Sequence, residues 1–326
     1  MKLHEDERAL EEAIRATALH LSLPITYVEK DYWVTRALKE LALSNVCEKI
    51  VFKGGTSLSK AYGLIARFSE DIDIAVLTEG LTKNQARKRV KKACKVISDI
   101  FTEIDSPDTS KNSHFRKVRF VYPRIDNSVV EGQVTDSLLL EVNAFAAPEP
   151  YNKMPISSYI ADFLNESNQG DSVSRFELEP FEINVLCTSR TVSEKLMGLV
   201  KASYGADHID NLRRKIRHIY DVYFLLTDKF TNDFVKSKGF QEMTGRVIAS
   251  DQTTFPPTPW FDQPLMEASL FSEFDTVWPQ LESTYNGDFK AMVVDKNLPS
   301  GDMIKEVLEP VFQQLKAYDD CQRCQN

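Results

Sequence analysis

The 326-residue sequence has no uninterrupted apolar run near the roughly 20 residues that a bilayer-spanning helix requires. Its first ten residues, Met1 to Leu10, are charged and lack an apolar signal core, so a cytoplasmic protein is expected, with no membrane partner. A disulfide framework is also missing. The five cysteines, Cys47, Cys94, Cys187, Cys321 and Cys324, are scattered and odd in number, which fits reduced thiols. Cys321-Gln-Arg-Cys324 has zinc-knuckle spacing, but no second CxxC or HxxxH pair completes a four-ligand site. Positive charge is scarce. With 40 Lys and Arg against 48 Asp and Glu, the net charge is −8. Such a chain does not hold polyanions by its average field, so any nucleic-acid contact needs a local basic patch. Internal repeats and low-complexity tracts are absent.

What is present is ordinary globular composition, 42% hydrophobic and 27% charged. The length exceeds what one core usually serves, so two domains are expected, over 1–186 and 187–326. In the first, helices are predicted over 4–22, Ile25–Leu43, Thr56–Ala66 and Thr82–Phe101. Strands are predicted at Lys49–Lys53, Asp71–Leu77, Phe115–Tyr122 and Ser137–Phe145. Ala146–Gly170 carries Pro148, Pro150 and Pro155 and reads as a linker or irregular excursion; Phe176–Leu186 returns to the sheet. From Thr191 onward the period is helical, interrupted by the rigid Phe255–Pro259. The expected fold class is an α/β core with a mixed sheet, followed by an all-α domain.

One stretch carries chemistry. Phe52-Lys-Gly-Gly-Thr-Ser-Leu-Ser-Lys60 followed by Arg67-Phe-Ser-Glu-Asp-Ile-Asp-Ile74 reads as strand, glycine turn, helix, strand. Two glycines let the backbone approach a ligand closely, and the following helix offers N-terminal amides to an anion. Thr56 and Ser57 add hydroxyls. Asp71 and Asp73 are two apart on a strand, so their carboxylates share a face and suit Mg²⁺, which takes substrate phosphates as further ligands. Two such ions would clamp the attacking and leaving oxygens of an in-line displacement. Glu141, a lone charge in Leu138-Leu-Leu-Leu-Glu-Val-Asn143, is the candidate third acid. A D-x-D pair alone is as readily a solvated strand face. What distinguishes this one is the order, with 15 residues between Gly55 and Asp71.

These residues resemble the DNA-polymerase-β-like nucleotidyltransferase superfamily, with Phe52–Gly55 and Asp71–Ile74 as its signature. More narrowly, they resemble the AbiEii toxins of type IV toxin–antitoxin and abortive-infection systems. Glu29-Lys-Asp-Tyr-Trp-Val-Thr35, Ser193-Glu-Lys-Leu-Met-Gly-Leu199 and His218-Ile-Tyr-Asp-Val-Tyr223 match further family motifs, although the last lacks the first aspartate of an R-D-x-Y-D pattern. The likeness runs from about Ile25 to Leu226. It implies a nucleotidyltransferase core followed by a helical domain. It further implies that Gly55, Thr56 and Ser57 cradle phosphates, with Ser69 beside the metal site. Asp71, Asp73 and Glu141 would hold Mg²⁺, and Lys195 would contact the nucleotide phosphates. Asp221 would act as a base or a positioning residue; read from local sequence alone, it could simply pair with Arg214 or Arg217. The implied reaction is attack of an acceptor hydroxyl on the α-phosphate of an NTP, releasing pyrophosphate. The leading acceptor is RNA at tRNA 3′ ends, with a protein or small-molecule hydroxyl as alternatives. A separately encoded antitoxin would be the partner, without a stable complex being required. The rival class is a non-catalytic module that binds nucleotide or RNA; intact Asp71 and Asp73 argue against it.

Two basic clusters complete the inventory. Lys83–Lys95 places seven cations on one helix, and Arg213–His218 forms a second group. If both line one cleft, they would track an RNA backbone by phosphate contacts. The competing reading of the first is a solvated outer helix face, and of the second an antitoxin contact.

Overall fold

The alternation in Asp71–Val76 becomes a strand at the middle of a sheet. In a computed structural model, which describes residues 1–69, 71–125, 136–256, 258–294 and 297–325, the chain divides into two units. One comprises Met1–Gly63 and Phe68–Leu186; the other comprises Leu64–Arg67 and Cys187–Asn326. Among the described residues no helix is long and apolar enough to cross a membrane, and no cysteine is disulfide-bonded.

The first unit is a mixed sheet with helices. Its strands are β1 (Ile50–Lys53), β2 (Asp71–Val76), β3 (Thr102–Ile104), β4 (Ser110–Lys111), β5 (Phe115–Val121), β6 (Ser137–Asn143), β7 (Tyr151–Ile156) and β8 (Phe181–Leu186). Their order is β3-β5-β6-β2-β1-β8-β7, with β4 beside β5. β2 lies between β1, antiparallel to it, and β6, parallel to it. The helices of this unit are α1 (Glu7–Leu21), α2 (Ile25–Leu43), α3 (Gly54–Lys60), α4 (Lys83–Ser98), α5 (Tyr159–Glu166) and α6 (Gly170–Arg175).

The pleat sorts β2 cleanly. Ile72 and Ile74 are fully buried in a core shared with Phe52, Leu140 and Val142 from the neighbouring strands and Val90 and Ile97 of α4, while Asp71 and Asp73 are half-buried. Burying each such apolar side chain stabilises by about 1.5–3 kcal/mol, which fixes the register and with it the direction of the carboxylates. α4 begins at a capping box in which Thr82 and Gln85 satisfy each other's backbone amides, and it buries Ala86, Val90, Ala93 and Ile97 on one stripe.

Two segments depart from the sequence reading. Ala146–Gly170 is not an irregular excursion, because it holds β7 and α5. Among the described residues β7 pairs only with β8, and Pro155, opposite Glu182, is tolerated because an edge strand can spare an amide. The helix expected over Thr56–Ala66 starts two residues earlier and ends at Lys60. Gly63, at φ +62°, breaks the chain there, and Ala66–Arg67 pairs with Val293–Val294 instead.

The helical unit contains α7 (Thr188–Ala202), α8 (His208–Arg214), α9 (Ile216–Thr227), α10 (Lys229–Val235), α11 (Lys238–Thr254), α12 (Ser269–Ser272), α13 (Phe274–Thr284) and α14 (Gly301–Gln325).

The Glu29–Asp31 segment of α2 acts as a tether. Asp31 is buried, ion-paired with Lys60 at the end of α3, and accepts from the Tyr159 amide at 2.9 Å. The Lys60 ammonium also sits 5.3 Å from the centre of the Tyr159 ring. Glu29 accepts from the Ile125 amide at 2.6 Å. Asp31→Ala leaves the Lys60 ammonium buried without its counter-charge. It is expected to lose about 3–5 kcal/mol of stability in chemical denaturation, whereas Asp31→Leu combined with Lys60→Met should lose far less.

Candidate active site

Asp71 and Asp73 lie on the face of the sheet opposite Ile72 and Ile74. Asp73 is in register with Glu141 on β6 and with Lys53 on β1, and Glu141 is in register with Lys117 on β5. Directly opposed residues of paired strands share a face, so Lys53, Asp73, Glu141 and Lys117 form one charged row across four strands.

The glycine turn is built against this row. Gly54 has φ +79°, and a Cβ placed there would lie 2.0 Å from Asp73 Oδ2. The residue must therefore be glycine for two independent reasons, backbone conformation and space. Thr56 and Ser57 are buried. Thr56 Oγ1 donates to the Asp71 carbonyl at 2.6 Å and lies 2.9 Å from Ser69 Oγ, while Ser57 Oγ donates to the Gly54 carbonyl at 2.9 Å. The two hydroxyls expected to meet phosphate are thus engaged with the backbone of the motif itself. They hold the turn against β2, and what the turn offers an anion is its amides. Glu70, between Ser69 and Asp71, lies outside the described residues.

Two carboxylates on one face suit a hard ion that keeps waters and accepts substrate phosphates as further ligands, so Asp71 and Asp73 fit Mg²⁺. Among the described residues no three His, Cys, Asp or Glu are placed to hold a metal ion together. The third acid expected from the sequence, Glu141, is instead engaged by Lys117, with Nζ 3.0 Å from Oε1. The same ammonium is 3.6 Å from Asp108 Oδ2. Burial opposes the Lys117 charge, but the hydrogen bond to Glu141 and the fields of Glu141, Asp108 and Asp71 outweigh it and raise its pKa. Asp108 is in turn gripped by Arg119, through Nε at 3.1 Å and Nη2 at 3.0 Å.

The helical unit holds the second constellation. Asp221 of α9 is fully buried; its Oδ1 accepts from Arg67 Nε at 2.6 Å, and its Oδ2 accepts from Arg67 Nη2 at 2.7 Å and from Lys195 Nζ of α7 at 2.7 Å. The pairing with Arg214 or Arg217 offered by local sequence is therefore replaced by one with Arg67 and Lys195, far away in the chain. Burial alone would raise the Asp221 pKa; the two cations more than reverse this and hold it well below the usual carboxylate range. One turn earlier His218 is partly buried, and its Nδ1 is sealed from water without a hydrogen-bond partner. Burial, then Lys195 and Lys215, push its pKa well below the ordinary 6.5.

Arg67 and Lys117 had no assigned role in the sequence reading. Arg67 stands within the quoted motif, and that position was its only signal. Lys117 alternates with Arg119 along β5, which reads as a solvated strand face. Of the basic clusters, α4 shows Lys83, Arg87, Lys88, Lys91, Lys92 and Lys95 exposed, whereas Arg89 turns back to the Leu77 carbonyl. Arg213 is occupied by Asp210 and the Gln280 carbonyl.

Two outcomes are expected. Gly54→Ala should cost about 1–2 kcal/mol from its left-handed backbone alone, with more from the collision with Asp73, read as a lowered denaturation midpoint. The His218 pKa is lower in the folded than in the unfolded state. Its contribution is therefore fully present above about pH 6.5 and is lost as pH falls below it. Thermal melts should show stability declining from pH 7 to 5, with a shallower decline in His218→Gln; an unchanged slope would remove His218 as the cause.

The family model for the nucleotidyl transferase AbiEii toxin of type IV toxin–antitoxin systems matches residues 36–309. Among solved structures, the chain is similar to MenT4, a nucleotidyltransferase toxin of Mycobacterium tuberculosis H37Rv, at 13% identity and TM-score 0.41, covering 94% of this chain and 98% of that one. It is also similar to a nucleotidyltransferase of H. pylori at 18% identity and TM-score 0.35, covering 78% of this chain and 95% of that one. No curated protein sequence matches. With the family model spanning most of its length and the D-x-D strand and glycine turn in place, the chain belongs to the AbiEii nucleotidyltransferase toxin family.

Proposed function

We propose that the protein transfers an NMP from an NTP to an acceptor hydroxyl with Mg²⁺ held by Asp71 and Asp73, and that the acceptor is RNA, with tRNA 3′ ends first. The observation that carries this reading is the carboxylate pair on one face of β2, with the Gly54 backbone packed against Asp73. Mg²⁺ bound there would supply charge neutralisation and alignment for the α-phosphate and the attacking oxygen. Asp71 and Asp73 would supply its protein ligands, and Glu141, now held by Lys117, is the candidate third acid. The turn at Gly55, Thr56 and Ser57 offers amides to the phosphates, and the Thr56 hydroxyl, with Ser69 beside it, keeps the Asp71 backbone in place.

In the helical unit, Lys195 carries the phosphate-contacting role that family membership implies, since a fixed cation stabilises charge spread over a transferring phosphoryl group. Asp221 positions it. A carboxylate buried between Arg67 and Lys195 and held deprotonated well below its usual range is a poor proton acceptor, so the positioning role is favoured over the base. Family membership also implies an antitoxin partner, for which a stable complex is not required.

The test is an α-labelled NTP transfer assay with Mg²⁺ on total RNA, run separately with each of the four nucleotides. Label should enter RNA. Asp71→Ala and Asp73→Ala should each lower the rate by about three orders of magnitude, and Lys195→Ala by about two to three. Label in protein or in a small-molecule fraction would reassign the acceptor. No transfer with any nucleotide would favour a binding module, and full toxicity of Asp71→Ala in cells would sink the metal role.

A further inference from the structure

Lys117 has no evident task in holding the sheet together. β5 and β6 pair over Phe115–Val121 and Ser137–Asn143, with Val118, Phe120, Leu138, Leu140 and Val142 buried beneath. A partly exposed cross-strand ion pair adds only about 0.2–1 kcal/mol to such a ladder. What distinguishes this ammonium is its company. It is 3.0 Å from Glu141, 3.6 Å from Asp108 and within the field of Asp71. Arg119 already meets the charge of Asp108 through two hydrogen bonds. The charge left for Lys117 to balance is that of Glu141 and, beyond it, the Asp71–Asp73 pair.

Asp71, Asp73 and Glu141 carry three negative charges, and Lys53 and Lys117 in the same row carry two positive ones. A divalent ion added to this group leaves it net positive, which favours the arrival of a triphosphate and disfavours the ion alone. Without Lys117 the same ion would find two net negative charges and be neutralised by protein groups only.

We propose that Lys117 is a positioning residue of the carboxylate site: a resident cation that holds Glu141 and weakens divalent-ion binding to the nucleotide-free protein, so that ion and nucleotide load together. The proposal rests on the reading of Asp71 and Asp73 as metal ligands. Its physical content is a coupling between two ligands, and such coupling is reciprocal. Lys117 makes the ion depend on the nucleotide and the nucleotide depend on the ion.

The experiment titrates Mn²⁺ as probe, followed by the electron paramagnetic resonance of the free ion. It uses the full chain with and without a non-hydrolysable NTP analogue. Lys117→Met should bind Mn²⁺ about tenfold more tightly than wild type without nucleotide, and the analogue should tighten binding less than it does in wild type. Lys117→Arg, which keeps the charge, should match wild type. Adding Glu141→Gln to Lys117→Met should abolish the gain, since the freed carboxylate is its source. Lys117→Gln serves equally should the methionine variant fail to fold. Mn²⁺ affinity that Lys117→Met leaves unchanged or weakens, while Asp71→Asn abolishes binding, would overturn the proposal and leave the ligand reading standing. Wild-type affinity in Asp71→Asn would overturn the ligand reading, and the proposal with it.

Discussion

The pleat of β2 is the constraint from which the carboxylate site follows. Because side chains alternate strictly along a strand, sending Ile72 and Ile74 into the core sends Asp71 and Asp73 to the other face. A slip of one residue would bury two carboxylates and expose two isoleucines, which the core does not permit. The same registers that seat the isoleucines bring Glu141, Lys117 and Lys53 level with Asp73. Hydrophobic burial on one face thus sets the electrostatics of the other. The glycine turn depends on it as well, since Gly54 can approach Asp73 so closely only while β1 and β2 keep their pairing.

Charge is handled in two different ways in the two units. On the sheet the carboxylates remain partly exposed and are balanced by neighbouring lysines, so their charge costs little desolvation. In the helical unit Asp221 is sealed with Arg67 and Lys195, where desolvation is severe and only multiple short contacts offset it. Arg67 donates through two nitrogens, a geometry that a lysine cannot reproduce. Such a buried pair fixes the Lys195 ammonium in place rather than leaving it to sample rotamers, and a fixed cation is what phosphoryl transfer can use. That Leu64–Arg67 groups with the helical unit, although it lies between α3 and β2 in the chain, explains why this arginine belongs to the motif without belonging to the sheet.

Legibility in the sequence followed the range of the interactions involved. Helix α2 runs over the residues its periodicity indicated, and β2 differs from the expected strand by one residue, because local pattern decides both. β7 was hidden by Pro155: a proline argues against a central strand, and edge position is a fact of topology that spacing does not carry. The Thr56 and Ser57 hydroxyls read as free donors from sequence, yet both are satisfied by carbonyls of the motif, which only the folded turn reveals. Asp221 stands among Ile219, Tyr220, Val222 and Tyr223, a local setting that points to a buried carboxylate. Its partners are not legible there, since Arg67 is 154 residues away, and a lone arginine beside a strand has no periodic signature.

The placement of the basic residues bears on how an acidic protein meets a polyanion. α4 packs its Val90 and Ile97 stripe into the core shared with Ile72 and Ile74, on the side of the sheet away from Asp71 and Asp73. Its exposed lysines therefore point away from the sheet on the side opposite the carboxylates, as a solvated outer helix face would. They are open to water, with Lys95 paired to Asp99 at 2.6 Å, and they are among the 40 cations set against 48 acidic residues. An RNA lying along α4 would not thereby bring its end to Asp71; it would need to pass around the edge of the sheet. Among the described residues of the central strands, positive charge on the carboxylate face comes instead from Lys53, Lys117 and Arg119, and Arg119 is engaged by Asp108. That is too little for a long backbone track and enough for a triphosphate. Under the proposed reaction the sheet face would take the nucleotide, and acceptor recognition would draw on shape and hydrogen bonding more than on bulk electrostatic attraction.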